Sequence, residues 1–381
     1  MKKYIFYAIF TASIIANIIF FLSDGILYLR VRWNRHIENN YSEKCKDIKD
    51  FRDNIYKAGL DIVKNGESVI VPARVGLFTD NLEDNISLKK EDAASKYQWA
   101  EMNFLILYSL EYAIKSDDTE SQKEIIDIFD KYIIDKDFTQ IDQCVAGCVA
   151  IELYKLTKNK KYKEYADKEY NWLKQQNTTD FGIKYMDWPG NAVDGLGMHN
   201  PFLILYSKTF NKREAYLLAV EQVEKWNKYG IDKDTGLPAY FYRYKYPNVK
   251  MGNINWGRGN SWYVLGLCDI DINDYSVQTA ENVRKFIQTT KELYYQNKCF
   301  HQYIGQVDKI DLSATLPIIY YLQKIGEIKL SDNDLLEYSI YMHNGLLYNS
   351  SGSQSQMNSG CPFSGPNRIS QAFMLKLLID R

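Results

Sequence analysis

The sequence predicts an all-α protein: an (α/α)6 toroid, a ring of six helical hairpins, preceded by an N-terminal transmembrane helix. Three observations carry that prediction. Apolar residues recur at helical spacing in about twelve stretches, no interior Pro/Gly/Ser-rich linker divides the chain, and a hairpin-sized motif repeats. Residues 153–162 read L-Y-K-L-T-K-N-K-K-Y and residues 205–216 read L-Y-S-K-T-F-N-K-R-E-A-Y; Leu153, Tyr154, Thr157 and Asn159 recur as Leu205, Tyr206, Thr209 and Asn211, 52 positions on in each case. Each copy ends one helix, turns on short polar residues and starts the next. A chain of such hairpins closes into a ring whose inner helices line a central cleft.

The first element is an apolar run over residues 4–22, broken only by Thr11, Ser13 and Asn17 and preceded by Lys2 and Lys3. It has the length of a bilayer-spanning helix. No small-x-small cleavage site follows it before Asp24, which favours an uncleaved single-pass anchor over a secretory signal. The chain thus divides into an anchor with its flank, 1–33, and a toroid, 34–381, expected outside the cytoplasm, although Arg30, Arg32 and Arg35 compete with the two lysines for the inside.

Residues 34–66 read as one long amphipathic helix with Ile48, Phe51, Ile55 and Ile62 on its apolar face. After a looser piece around Pro72 and Gly76, helices are expected near 93–115, 119–134, 140–157, 160–175, 193–209, 211–228, 260–272, 276–296, 311–325, 331–344 and 367–379. Strand-like alternation is confined to short pieces such as 239–244, and the Ser/Gly-rich piece 350–359 reads as a surface loop.

Lys and Arg number 47 against 48 Asp and Glu, with no long basic run, so a nucleic-acid partner is not expected. The 31 tyrosines suit flat, hydrogen-bonding surfaces such as those that hold sugars. Six cysteines, at 45, 144, 148, 268, 299 and 361, form no C-x-x-C pair, and with only four histidines a metal site is not expected. Buried free thiols are the expected state.

Residues 255–262, N-W-G-R-G-N-S-W, place Arg258 between Gly257 and Gly259 just ahead of an apolar helix, where a helix N-terminus and a guanidinium together suit a carboxylate. Asp142 lies twelve residues before Tyr154 and Asp194 twelve before Tyr206. Both aspartates therefore start an inner helix at the same mouth of the ring, and Arg258, twelve before Ile270, starts another. One alternative is specific: Thr139 with Asp142 and Asn191 with Asp194 both have capping-box spacing.

The order of V-D-G-L-G-M-H-N-P-F-L (193–203), D-x-x-T-G-L (232–237), W-G-R-G-N-S-W (256–262) and L-S-A-T (312–315) resembles that of the unsaturated glucuronyl and rhamnogalacturonyl hydrolases, glycoside hydrolase families 88 and 105. The resemblance runs from about Tyr97 to the C-terminus. It implies the same (α/α)6 fold and a substrate ending in a 4,5-unsaturated uronic acid, which the enzyme hydrates at the C4=C5 bond. By the same resemblance Asp194 protonates C4 and activates the water, Asp142 is a second essential carboxylate, and Arg258 and Trp262 line the site.

One carboxylic acid can serve as acid and then base, Arg258 can pair with the uronate, and Trp262 can stack on the ring. No cofactor or metal is needed. The chain departs from the family pattern at Tyr240, where members often carry a histidine just after T-G-L, and at Ala192, where a tryptophan is usual; Trp188 and His199, close in sequence, would compensate, and with Tyr240 they are candidate substrate-binding residues. The sequence thus reads as a membrane-anchored hydrolase of acidic oligosaccharides. An ordinary inverting glycosidase on the same fold, or a non-catalytic surface-glycan protein, are the alternatives.

Overall fold

The structure, a computed structural model, describes residues 2–21, 26–66, 93–176, 178–183, 191–242, 250–251, 256–306, 309–352 and 364–381. From the N-terminus the helices are α1 (Lys2–Phe20), α2 (Ile26–Asn40), α3 (Ile48–Asn65), α4 (Ala100–Lys115), α5 (Thr119–Tyr132), α6 (Cys144–Thr157), α7 (Lys160–Lys174), α8 (Asp194–Phe210), α9 (Arg213–Tyr229), α10 (Gly257–Leu267), α11 (Val277–Asn297), α12 (Leu312–Lys324), α13 (Asp332–Leu336) and α14 (Arg368–Ile379). Among the described residues, nine two-residue strands decorate them: β1 (Thr178–Thr179), β2 (Gly182–Ile183), β3 (Asn191–Ala192), β4 (Phe241–Tyr242), β5 (Lys250–Met251), β6 (Met342–His343), β7 (Leu346–Leu347), β8 (Ser350–Ser351) and β9 (Ser364–Gly365).

Patterning sorts the helices into two kinds. α4, α6, α8, α10, α12 and α14 are buried along nearly their whole length, as expected of helices apolar all round. The others bury one stripe; α9, for instance, buries Ala215, Tyr216, Ala219, Val220, Val223 and Trp226 at helical spacing. Each buried helix packs on the next in chain order, and α14 closes the ring against α4. Every hairpin runs outer helix, then inner helix, so the six inner helices are parallel and their N-termini share one mouth. The chain is an all-α toroid.

Several expectations are corrected. The long helix expected over 34–66 is two, because Asp47 caps α3 by accepting from the Asp50 amide (2.8 Å); the boundary expected at residue 33 falls inside α2. Among the described residues no helix is long and apolar enough to cross a membrane. The run expected to do so, 4–22, gives α1, which starts on two lysines, carries Asn17 and ends at Phe20. α10 stops at Leu267, short of Ile270. In place of one helix over 331–344 stand α13, with a Ser331–Asp334 capping box, and a 3-10 turn at Glu337–Tyr341. The cysteines at 45, 144, 148, 268 and 299 are free thiols; Cys361 lies outside the described residues.

Candidate active site

Four charged side chains stand at the mouth formed by the inner-helix N-termini. Asp194 opens α8, Arg258 is the second residue of α10, Glu101 is the second residue of α4, and Asp142 sits in a 3-10 turn, Ile141–Gln143, that leads into α6. Neither aspartate is the cap that its spacing suggested. At the α6 end the capping box is made by Gln140 and Gln143, with the Gln143 Oε1 accepting from the Gln140 and Thr139 amides (3.0 and 2.6 Å). Before α8, the Asn191 side chain is spent on Thr179 Oγ1 (3.1 Å) and on the Gly182 and Ile183 carbonyls.

Asp194 is 8% exposed and its Oδ1 is buried without a hydrogen-bond partner. Burial, then the nearby charge of Asp142, push its carboxyl well above the usual carboxylate range; Arg258 pulls it down and Glu101 pushes it up again. Burial and like charge thus favour its neutral form over the carboxylate. The helix N-terminus that would lower such a pKa is outweighed by desolvation and by two neighbouring carboxylates.

Arg258 is 2% exposed. Its Nε donates to Ser313 Oγ (2.9 Å), its Nη2 donates to the Ser351 carbonyl, and its Nη1 lies 4.0 Å from Glu101 Oε1. Trp256 and Tyr240 wall the same place. The Trp256 ring lies 5.8 Å from the guanidinium carbon, and the two rings meet edge to face at 4.8 Å. Tyr240 also feels the charges of this mouth: burial, then the Asp194 charge, raise its hydroxyl pKa, and Arg258 opposes them. The Tyr240 carbonyl accepts from the Val193 amide (3.0 Å), which ties the approach to β4 to the start of α8.

Gly257 is required for space, not for an unusual backbone angle: a Cβ there would lie 2.5 Å from the His301 carbonyl oxygen. That closeness lets Gly257 N donate to the Gln302 carbonyl (2.8 Å) and pins the Trp256 turn.

The remaining sequence candidates fall elsewhere. Trp262 is packed between inner helices: a Cβ on Gly197 would stand 2.8 Å from its Cε3, and its ring centre is 6.3 Å from that of Phe104. His199 is buried, its Nδ1 bonded to Asn200 Oδ1 (2.8 Å), and burial pushes its pKa down to about 4. The neighbouring Asn200 bridges the Ala219 and Gly266 carbonyls, so this part of α8 serves packing. Trp188 lies outside the described residues. Conversely, residues 350 and 351, expected in a surface loop, are the buried strand β8. Glu101, Ser313, Ser351 and the placement of Trp256 at the site were not read from the sequence; Glu101 had only a helix-start position to signal it.

The family model for Glycosyl Hydrolase Family 88 matches residues 80–349. The chain belongs to glycoside hydrolase family 88. This glycoside hydrolase is similar in fold to the structure of a possible member of the GH105 family from Salmonella enterica serovar Paratyphi A, at 18% identity and TM-score 0.64, covering 86% of this chain and 93% of that one. It is similar also to an unsaturated glucuronyl hydrolase specific for heparin (17%, TM-score 0.62, 87% and 95% covered) and to the unsaturated glucuronyl hydrolase of Bacillus sp. GL1 (12%, TM-score 0.61, 86% and 94%).

Proposed function

We propose that the enzyme releases a 4,5-unsaturated uronic acid from the non-reducing end of acidic oligosaccharides by hydrating the C4=C5 bond. The observation that carries this reading is the buried Asp194 carboxyl, raised above the usual range beside Asp142 and Arg258, because the first step needs a neutral acid and the second its conjugate base. Asp194 gives its proton to C4, and positive charge develops at C5 and the ring oxygen. Water adds at C5 and returns a proton to the Asp194 carboxylate. The hemiketal opens by breaking the C5–ring-oxygen bond, and the hemiacetal left at C1 expels the partner sugar.

In this reading Asp142 keeps Asp194 protonated and stabilises the developing cation, Arg258 pairs with the uronate, and Trp256 with Tyr240 walls the ring. Neighbours of similar fold that are named unsaturated glucuronyl hydrolases support the substrate class. The test is loss of the conjugated double-bond absorbance from lyase-generated disaccharides, with wild type and Asp194→Asn compared. Release of a saturated sugar with inversion, and no loss of that absorbance from any unsaturated disaccharide, would replace this mechanism with ordinary hydrolysis.

Membrane association is a second part of the proposal. α1 exposes Tyr4, Phe6, Ile9, Phe10, Ile15 and Ile18, an apolar surface that a soluble helix rarely shows. Deleting residues 1–21 is expected to move the protein from the membrane to the soluble fraction.

A further inference from the structure

Arg258 is held by the Ser313 hydroxyl and the Ser351 carbonyl, and one buried carboxylate binds both serines. Asp311, fully buried as the N-cap of α12, accepts from the Ser313 amide (2.9 Å), the Ser313 hydroxyl (2.5 Å), the Ser351 amide (3.2 Å) and the Ser351 hydroxyl. Ser313 and Ser351 are the two residues that grip Arg258. A serine hydroxyl has one proton. Because Asp311 takes the proton of Ser313, the lone pairs of that oxygen are left facing the Arg258 Nε–H, and the guanidinium has one allowed orientation.

The strand carrying Ser351 is fixed from the other side as well. Glu38, on α2 outside the ring, accepts from the Asn349 amide (3.1 Å) and from the Ser364 hydroxyl, and Asn34 donates to the Ser364 carbonyl (3.2 Å). β8 and β9 are thus clamped between two carboxylates.

We propose that Asp311 is the positioning residue that aims Arg258 at the substrate carboxylate, with Glu38 as its outer support. This rests on the uronate reading given above. Asn at position 311 would turn an amide donor toward Ser313 or Ser351, both already donors, and would release the guanidinium from its single pose. In the full-length enzyme, Asp311→Asn is expected to raise KM for an unsaturated uronyl disaccharide about tenfold while kcat changes less than about threefold. Glu38→Gln, partly exposed and safer for folding, is expected to raise KM about threefold by the same route.

A second readout needs no substrate. The Arg258 Nε–H resonance, assigned by its loss in Arg258→Lys, is expected to shift and to exchange faster with solvent in Asp311→Asn, or in Glu38→Gln should the first variant not fold. If wild type leaves every unsaturated disaccharide intact, the uronate reading fails, and the resonance alone decides the positioning role. Unchanged KM in folded variants of an active enzyme, or an unmoved Arg258 signal in both variants, overturns the inference.

Discussion

The two ends of the same six inner helices carry charge in opposite ways. At their C-termini the charges are paired: Lys376 with Glu111 (2.8 Å) and Asp380 (3.2 Å), Lys324 with Asp269 (2.5 Å), and Lys208 with Asp269 (3.1 Å). The lysines suit the negative ends of the helix dipoles, and they line a cavity of about 190 Å³. At the N-termini Glu101 lies 4.0 Å from the Arg258 guanidinium, and Asp142, Arg258 and Glu101 all act on the buried Asp194. Pairing makes charge inert, whereas crowding like charges under one cation leaves a proton held out of balance. On the proposed mechanism, that difference makes one rim chemical and the other structural.

The strongest way to break that comparison is Asp194→Asn. It is expected to lower kcat by roughly a thousandfold or more without loss of folding. The sign of the stability change can be worked out. The Asp194 pKa is raised in the folded state, so the wild type is destabilised progressively as pH rises above the unfolded value of about 4. The Asn variant escapes this. Its melting temperature should exceed wild type at pH 7, with the gap closing below about pH 4; a variant less stable at pH 7 than at pH 4, relative to wild type, would contradict the assignment.

Next in size is the contrast between two tryptophans of one motif. Trp262→Ala is expected to cost about 3–5 kcal/mol of stability, as a large residue lost from a packed seam. Trp256→Ala should instead act mainly on KM, since its ring borders Arg258 and Tyr240. Urea melts and kinetics on both variants check the division, and the reverse pattern would exchange their roles.

Asp142→Asn sharpens the electrostatic side. Removing that negative charge lowers the Asp194 pKa, so the acid is lost at a lower pH and the alkaline limb of the kcat/KM profile should move to lower pH, with activity reduced. A limb that stays in place or moves up would show that Asp142 does not set the proton.

The smallest effect belongs to the other rim. Lys376→Met leaves Glu111 without its main partner, and burial already raises that carboxyl. A loss of about 1–2 kcal/mol is expected, with KM unchanged. A change in KM there would mean that the two rims are coupled.

The hairpin repeat was legible because chain periodicity imposes it. Tyr154 and Tyr206 occupy equivalent places near the ends of α6 and α8, although the caps are offset by one residue, Asn159 being an N-cap and Asn211 a left-handed C-cap. The register of Asp142 and Asp194 followed from the same repeat. Local rules misled where a tertiary partner won: the Gln140–Gln143 box took the cap that spacing offered to Asp142, and Asp47 broke a helix that apolar period alone would have continued.

What the sequence by itself determined is the ring and the order of charged groups around its mouth, since both depend on spacing along one chain. Only the tertiary structure decided which tryptophan faces the site, that β8 is buried, and that Arg258 is held by Ser313 and Ser351 under Asp311. Arg258 and Ser351 are 93 residues apart. No local preference connects them, and their contact exists only because the fourth and sixth hairpins reach the same mouth of the ring.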